Sequence, residues 1–295
     1  MFDSTALLFF ALASGAAFLA GLRTGALGRA VEAAVLAPLG GFLARTFIGL
    51  LLAAGDNSPP VALAVGWGFF LWPGVIDSLF MLLHTEPVFT PPVLLWMAAV
   101  VGSFVGMMDG IRRIHRWPKM GGPGFLLDVT WGLAGSTNGC LLHLLNFAWA
   151  RPQDNPRGGA HRYPKGFCVK PGYAITLGTV MSNLPAHADH LLPHELLHVL
   201  QNRLFGPVYT LTYLVWMAVM LPPALAAGLF KGRAVQTVED WCYTNNPWEN
   251  WAYARGGWRD PCRVWGRATT VIVTALFFLG AAGATLWVVW RVWLC

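Results

Sequence analysis

HLLPHELLHVLQNRLFGPVYTLTYLVWMAVMLPPALAAGLF, residues 190–230, joins two unlike kinds of sequence. Its first part carries three histidines and a glutamate, whereas the part from Val208 onward has no charged residue. About 20 consecutive apolar residues are enough to cross the hydrocarbon core of a bilayer. The stretch therefore predicts a polar helix attached directly to an apolar segment of membrane length.

The rest of the chain resembles the apolar part. Of its 295 residues, 56% are hydrophobic and 12% are charged, whereas a soluble domain has about 25% charged residues. The composition predicts a mainly α-helical integral membrane protein, a polytopic helical bundle. The N-terminus has an acidic residue where a signal peptide would have basic ones, so we expect a retained first helix. Apolar segments run at about residues 5–22, 31–54, 61–83, 92–108, 125–150, 208–230 and 268–294.

Two of these segments contain helix-disrupting sequence. GSTNG interrupts the segment 125–150, and Pro222-Pro223 interrupts the segment 208–230, so we expect bent or re-entrant helices there. Between them, residues 166–182 place β-branched and aromatic residues between glycines and a proline, which predicts a strand or short hairpin. The two polar stretches, 151–207 and 231–267, hold most of the reactive side chains.

The charge of the chain indicates a lipid partner. The net charge is +6 with a pI near 9.3, but the basic residues lie beside apolar segments, which favours lipid headgroups and no nucleic acid. Five cysteines show no close metal-binding spacing. Cys242 and Cys262 bracket one polar loop and would either form a disulfide in an oxidising compartment or remain two thiols. Basic residues of one such segment are Arg112, Arg113, Arg116 and Lys119.

The polar helix of the opening stretch carries a metal-binding pattern. His194 and His198 are four residues apart, so their imidazoles lie on one helical face and can reach a single ion. With Glu195 they form HExxH, which supplies two zinc ligands and a carboxylate that takes a proton from water. Pro193 fits only in a first turn, so the helix should begin within about three residues before it. The alternative is a helix with two interfacial histidines and a solvated glutamate. We expect Leu196, Leu197, Val199 and Leu200 to bury the other positions.

Catalytic zinc sites usually have three protein ligands, and Glu249 is the best candidate for the third. It lies in NNPWENWAYARGG, where Asn246 can cap a helix and Pro247 can take its first position. The alternative is that Glu249 bonds back to the cap rather than to a metal. Small residues that follow would allow close packing on the HExxH helix. Glu239 and Asp240 are the reserve candidates.

HELLHVLQ followed by NPWENWAYA resembles the membrane-associated gluzincin metallopeptidases, such as the HtpX class and related bacterial membrane proteins. The resemblance covers about residues 166–256. It implies His194 and His198 as zinc ligands, Glu195 as general base and Glu249 as third ligand. It also implies a small zincin-like catalytic subdomain, an edge strand before the HExxH helix, which residues 172–180 match in kind, and a bacterial inner membrane.

These observations predict a zinc-dependent endopeptidase that cuts a membrane or membrane-proximal protein. We expect transmembrane helices over residues 1–124 and a metallopeptidase-like region over 125–295, which ends in a transmembrane helix. A protein or peptide substrate would add as a strand beside residues 173–180. Candidate donors to the developing oxyanion are His187, His190, Tyr243, Tyr253 and Arg255.

Two other functions fit the same sequence. One is a site-2-type intramembrane protease, whose third ligand would be an aspartate, and Asp260 is the nearby candidate. The other is a non-enzymatic membrane protein, either a transporter that uses Asp77 and Asp128 or a subunit with a degenerate zinc site. For Asp77 an ion pair with Arg45 is the structural alternative. Polar residues at membrane depth are Arg45, Asp77, Asp128, Asn138, His143 and Asn146.

The candidate ligands impose a topological constraint. Glu249 must reach the HExxH helix although an apolar segment separates them. Residues 208–230 should therefore turn back at Pro222-Pro223, lie on the membrane surface, or begin at the depth of the metal. The basic loops favour a cytoplasmic site, whereas a Cys242–Cys262 disulfide would favour the opposite face.

Overall fold

A computed structural model describes residues 4–115, 121–256 and 266–293. The chain is mainly helical with one small sheet, as the composition predicts. It packs as two compact units, Met1–Pro185 and Ala186–Cys295. This division concerns packing, and the functional division after residue 124 stays a prediction.

Among the described residues, the first unit contains seven α-helices and the sheet. Its helices are α1 (Ser4–Leu22), α2 (Leu27–Ala53), α3 (Pro59–Val65), α4 (Trp72–Leu82), α5 (Pro91–Arg112), α6 (Gly121–Val129) and α7 (Leu133–Ala148). Its strands are β1 (His161–Tyr163), β2 (Ile175–Leu177) and β3 (Val180–Ser182).

The second unit begins with a 3-10 turn, Ala186–Leu191, and continues through helices to the C-terminal part of the chain. The helices are α8 (Leu192–Phe205), α9 (Pro207–Phe230), α10 (Ala234–Val238), α11 (Pro247–Gly256) and α12 (Arg267–Trp293), with a π-helical segment at Glu239–Thr244.

Close contact between α2 and α5 forms the centre of the first unit. Gly102, Gly106 and Gly110 recur every four residues and therefore line one face of α5. A side chain at Gly106 would meet the backbone of Leu36, and one at Gly102 would meet the backbone of Gly40. In lipid, helices associate by such close packing because there is no hydrophobic drive between them. The glycine repeat thus sets the distance between the two helices.

The apolar segment 61–83 is not one continuous helix. It divides into α3, a π-helical turn at Gly66–Phe70, and α4. Leu71 between them has φ +63°. Pro73 explains the break, because proline lacks the N–H that would continue the helix and restricts the residue before it.

The predicted interruption within 125–150 exists, but its position was wrong. The chain leaves helical geometry between α6 and α7, and GSTNG lies inside α7. Its polar side chains bond to carbonyls rather than breaking the helix: Ser136 donates to Asp128 O, Thr137 to Phe69 O, and Asn138 to Ala134 O. Gly139 brings α7 against Leu177 of the sheet.

The predicted hairpin is confirmed. Strands β2 and β3 pair antiparallel with Ile175 opposite Ser182, and Gly178 takes a positive φ in the turn. β1 adds in parallel on the other side of β3. The hairpin packs on α7 through a cluster that includes Leu142 and Tyr163.

Two polar residues predicted to pair do not do so. Asp77 is buried, and its carboxylate accepts the backbone N–H groups of Val88 and Phe89. The Arg45 guanidinium lies 4.6 Å from the ring centroid of Trp96 instead. Asp77 thus fixes the loop before α5, and Arg45 has an aromatic partner.

Five helices are long and apolar enough to cross a membrane: α1, α2, α5, α9 and α12. The α9 helix runs through Pro222 and Pro223 without a break, so of the three arrangements predicted for this segment the reversal at these prolines is wrong. The chain reverses after Phe230 instead. Ala234 and Thr237 pack against Gly228, and the indole N–H of Trp216 donates to Trp241 O. Residues 234–246 thus return along α9, which removes the topological obstacle to a site formed by α8 and α11.

We expect Gly106→Ala to lower the free energy of unfolding by roughly 1–3 kcal/mol, the usual cost of overpacking a close contact. The measurement is thermal or denaturant unfolding in detergent. Gly15→Ala is the matched control, because no atom lies within 4 Å of a side chain added there. Equal stability of the two variants would contradict the glycine packing.

Candidate metal centre

Helix α8 begins at Leu192 with Pro193 in its first turn, as predicted. Its buried face is largely polar and includes His194, His198 and Gln201. Leu200 was expected in the core but is 44% exposed. Helix α8 therefore buries the face that bears the candidate ligands and turns Leu200 outward.

Helix α11 begins as predicted. The side-chain oxygen of Asn246 accepts the N–H of Trp248 at 3.1 Å, so Asn246 is the cap. The Trp248 ring is fully buried against Phe205, Tyr209 and other aromatic rings, with centroids about 5 Å apart. This packing fixes the first turn of α11 against the end of α8 and the start of α9.

The carboxylate of Glu249 faces α8 rather than its own cap. Its Oε1 accepts a hydrogen bond of 2.8 Å from the Tyr213 hydroxyl. Tyr213 reaches it because Gly206 alone joins α8 to α9, with φ +50°, a left-handed conformation that favours glycine. This sharp turn lays the first part of α9 beside the ligand face of α8. The alternative cap-bound geometry is therefore wrong.

Three predicted ligands meet at one point. The Nε2 atoms of His194 and His198 are 3.2 Å apart. Glu249 Oε2 lies 3.2 Å from His194 Nε2, and Glu249 Oε1 lies 3.4 Å from His198 Nε2. Ligand atoms about 2.0–2.2 Å from a tetrahedral zinc ion lie roughly 3.3–3.6 Å apart. All three side chains are buried. The spacing of this triad therefore fits one metal ion.

The hydrogen bonds of Gln201 leave a lone pair of His198 free for a metal. The Gln201 side-chain N–H₂ donates to Trp248 O at 3.0 Å, so its oxygen faces His198 Nδ1 at 2.8 Å. That oxygen only accepts, and Nδ1 must therefore carry the proton. The lone pair of Nε2 then points towards the other two members of the triad, as in metal-bound histidines.

The charges of the buried triad shift the pKa values of its own members. Burial alone would lower the pKa of the His198 imidazole, but the Glu249 carboxylate outweighs it and raises that pKa to about 9. Burial alone would raise the pKa of Glu249, but the two imidazoles hold it well below its usual value. The Glu249 carboxylate and the two imidazoles therefore favour a shared cation, and a metal that binds there would displace any proton on His198 Nε2.

Among the described residues, Glu249 Oε2 and His194 Nδ1 are buried without a well-aligned hydrogen bond. An unsatisfied buried acceptor is costly, and a metal ion would satisfy Oε2. His194 is held by ring packing, with its imidazole 4.6 Å from the ring of Tyr253. A hydrogen bond to Gln201 thus orients His198, whereas packing against Tyr253 orients His194.

The other predicted site residues divide into near and distant ones. Glu195 is buried, and its charge contributes to the raised pKa of His198, but it does not belong to the triad. Tyr243 is hydrogen-bonded to Tyr253, which contacts His194. Side chains on the surface are those of His187, His190 and Arg255.

The reserve ligands Glu239 and Asp240 lie in the π-helical segment and do not belong to the triad. Asp260 and Cys262 lie outside the described residues, and Cys242 is a buried free thiol.

Sequence reasoning missed Gln201, Tyr209 and Tyr213. The Tyr209 hydroxyl lies 3.3 Å from His198 Nδ1. Gln201 falls three residues after His198 and therefore lies on the same face of α8. This spacing alone could have predicted its contact with His198. The two tyrosines had no such signal, because their approach depends on the turn at Gly206.

Comparison with protein-family models, with curated proteins and with solved structures found no match.

We expect Glu249→Ala to weaken metal binding, measured with Zn²⁺, by more than the roughly 10–100-fold loss typical of a partner that only supports a ligand. Zinc stoichiometry and a competitive chelator titration on the purified protein measure this. Glu239→Ala is the matched control and should bind normally. Full zinc occupancy in the Glu249 variant would leave that carboxylate without a metal role.

Gln201→Leu should weaken zinc binding about 10–100-fold, because the proton on His198 Nδ1 loses its acceptor and α8 loses its bond to α11. The same titration measures the change. Gln236→Leu, at an exposed glutamine that bonds to Asp240, is the control. Gln201→Glu keeps an acceptor for Nδ1 and should recover part of the affinity. If all three variants bind alike, Gln201 does not position His198.

Proposed function

We propose that the chain is a membrane-embedded, zinc-dependent endopeptidase of the HExxH type. The observation that carries the proposal is the buried triad of His194, His198 and Glu249, with ligand atoms all within 4.8 Å of one another. Two imidazoles and one carboxylate are a usual ligand set of catalytic zinc, which leaves a fourth position for water or substrate. The resemblance of HELLHVLQ and NPWENWAYA to the gluzincin metallopeptidases supports the same proposal.

Zinc at this triad would supply Lewis acidity towards a water molecule and a peptide carbonyl. Glu195 would accept a proton from water as its oxygen bonds to the carbonyl carbon. Glu195 would then return the proton to the peptide nitrogen as the C–N bond breaks. Its position supports this role, because it is buried next to His194 on α8 yet is not a member of the triad.

The surroundings support a substrate in or near a bilayer. Helix α9, which supplies Tyr209 and Tyr213, is among the five helices suited to membrane crossing. We propose a membrane or membrane-proximal protein as substrate, in a bacterial inner membrane as the resemblance implies. Addition of the substrate chain beside residues 173–180 stays part of this proposal. Aspartate as the third ligand is less well supported, because Glu249 already occupies that place.

A proton-coupled transporter is the second candidate, and one observation favours it. In the first unit, the buried Asp109 carboxylate joins His115 at 3.0 Å and His161 at 2.9 Å, and Asp128 lies 3.7 Å from His115. Buried ionisable groups in membrane proteins often mark proton paths. Asp77 no longer supports this function, because backbone N–H groups satisfy it. Transport would depend on Asp109 and not on Glu195.

Glu195→Gln should reduce hydrolysis by at least about 10²–10⁴-fold, the contribution of a general base, while zinc content stays at the parent value. The assay is cleavage of a fluorogenic peptide library by the zinc-loaded protein in detergent. The exposed Glu86→Gln is the control. His194→Ala should lose the metal itself. Undiminished cleavage by the glutamine variant with zinc bound would refute the mechanism.

A further inference from the structure

A groove lies in the second unit between α8, α11 and α12. Its cavity volume is about 650 Å³, within the range of about 300–1,000 Å³ found for ligand sites. Aromatic rings of Phe205, Trp251 and Phe278 lie 5.4–6.4 Å from one another along it. None of the three triad residues lines it, so it is separate from the metal centre.

One wall of the groove is a single face of α12. Thr270, Thr274, Phe278 and Ala282 line it and recur every four residues. At 1.5 Å per residue this face is about 18 Å long. Only 6% of the most apolar part of α12 is buried within the structure. The wall is therefore open along most of its length to whatever surrounds the helix.

Two buried polar groups at one end of the groove lack partners in the described part of the chain. Asn250 is 6% exposed and Thr270 is 4% exposed, and neither Asn250 Oδ1 nor the Thr270 hydroxyl has a hydrogen bond. The Asn250 N–H₂ group lies 3.4 Å from both Asn245 O and the Thr274 hydroxyl. This leaves Oδ1 as an acceptor that requires a donor.

The composition of the groove favours a protein helix over lipid. Ala254, Ala275 and Ala282 line it together with the two threonines and Asn250. Small residues with Thr and Asn are typical of helix–helix interfaces in membranes, because they allow close approach and hydrogen bonds across the interface. Acyl chains have no donor for Asn250 Oδ1. A helix with one hydroxyl or carboxamide side chain has such a donor.

The groove and the metal centre share α11. Asn250 directly follows the ligand Glu249, so a helix in the groove would lie about one helix diameter, roughly 10 Å, from the triad. An adjoining stretch of its chain could extend from there to the metal. This places the occupant where a substrate would have to be held.

We propose that this groove binds the transmembrane helix of the substrate, one that carries a Ser, Thr, Asn or Gln among apolar residues. This inference rests on the proposed function, since it identifies the occupant as substrate. The groove is a docking site beside the catalytic centre, and it selects membrane-spanning substrates by a buried hydrogen bond to Asn250.

The test is binding of a labelled synthetic helix, about 20 residues of Leu and Ala with one Asn, to the full-length protein in nanodiscs. The zinc-stripped protein is used, so binding is measured apart from catalysis. Ala275→Trp fills the groove and should weaken binding at least tenfold. Leu276→Trp, at the adjacent 64%-exposed position outside the groove, should leave the dissociation constant within twofold.

Specificity is tested with the same helix lacking its Asn. The parent protein should prefer the Asn-bearing helix about tenfold, and the Asn250→Leu variant should lose that preference. Thr270→Val is a second variant at the same end of the groove. Equal binding by the two tryptophan variants, or by the two helices to the parent, would overturn the inference. So would a phospholipid retained by the parent and lost from Ala275→Trp without helix binding.

The outcome separates the two proposals when the zinc-loaded protein is assayed. If the Ala275→Trp variant cuts a short soluble peptide normally but a membrane-anchored substrate at least tenfold more slowly, both proposals hold. If neither substrate is cut by the parent while helix binding behaves as expected, the groove binds a helix and the endopeptidase proposal fails. Equal cutting of the anchored substrate by both tryptophan variants overturns the docking role alone.

Discussion

Two imidazole nitrogens and a carboxylate held about 3.2–3.4 Å apart in a buried space form the constraint on which the second unit depends. Such groups need a shared cation. Without one, a buried charge stays unpaired and lone pairs face one another, and both cost free energy. The fold provides the restraint that holds them together. Trp248 anchors α11, Gly206 turns the chain sharply into α9, and Gln201 bonds α8 to α11.

The two units solve the problem of helix association differently. In the first, α2 and α5 approach through Gly102, Gly106 and Gly110, where side chains are absent. In the second, α8, α9, α11 and α12 meet around large aromatic rings centred on Trp248. The glycine contact gives close and regular packing along two long helices. The aromatic cluster instead fills the space around α8 and α11, which carry the three triad residues, and beside the long helices α9 and α12.

Much of the candidate site could be predicted from the sequence because the patterns that form it are local. The spacing of His194 and His198, the position of Pro193 and the cap at Asn246 all act within one helical turn. What failed depended on tertiary context. GSTNG remains helical because carbonyls nearby accept its side chains, and Pro222-Pro223 stay within α9. Tyr213 reaches Glu249 only through a turn and a returning arm, which no periodicity reveals. The glycine repeat of α5, Gly102 to Gly110, is a local pattern visible in the sequence.

Residues 234–246 return along α9, so the two ends of α9 have different surroundings. Tyr213 bonds to the candidate ligand Glu249, and Lys231 lies beside the reversal. The two residues are 18 positions apart along α9, which corresponds to about 27 Å. That length is close to the hydrocarbon thickness of about 30 Å. In a sealed vesicle with α9 upright, an impermeant amine reagent would therefore reach Lys231 from one side of the membrane. An impermeant chelator would reach a metal bound at the triad from the other side.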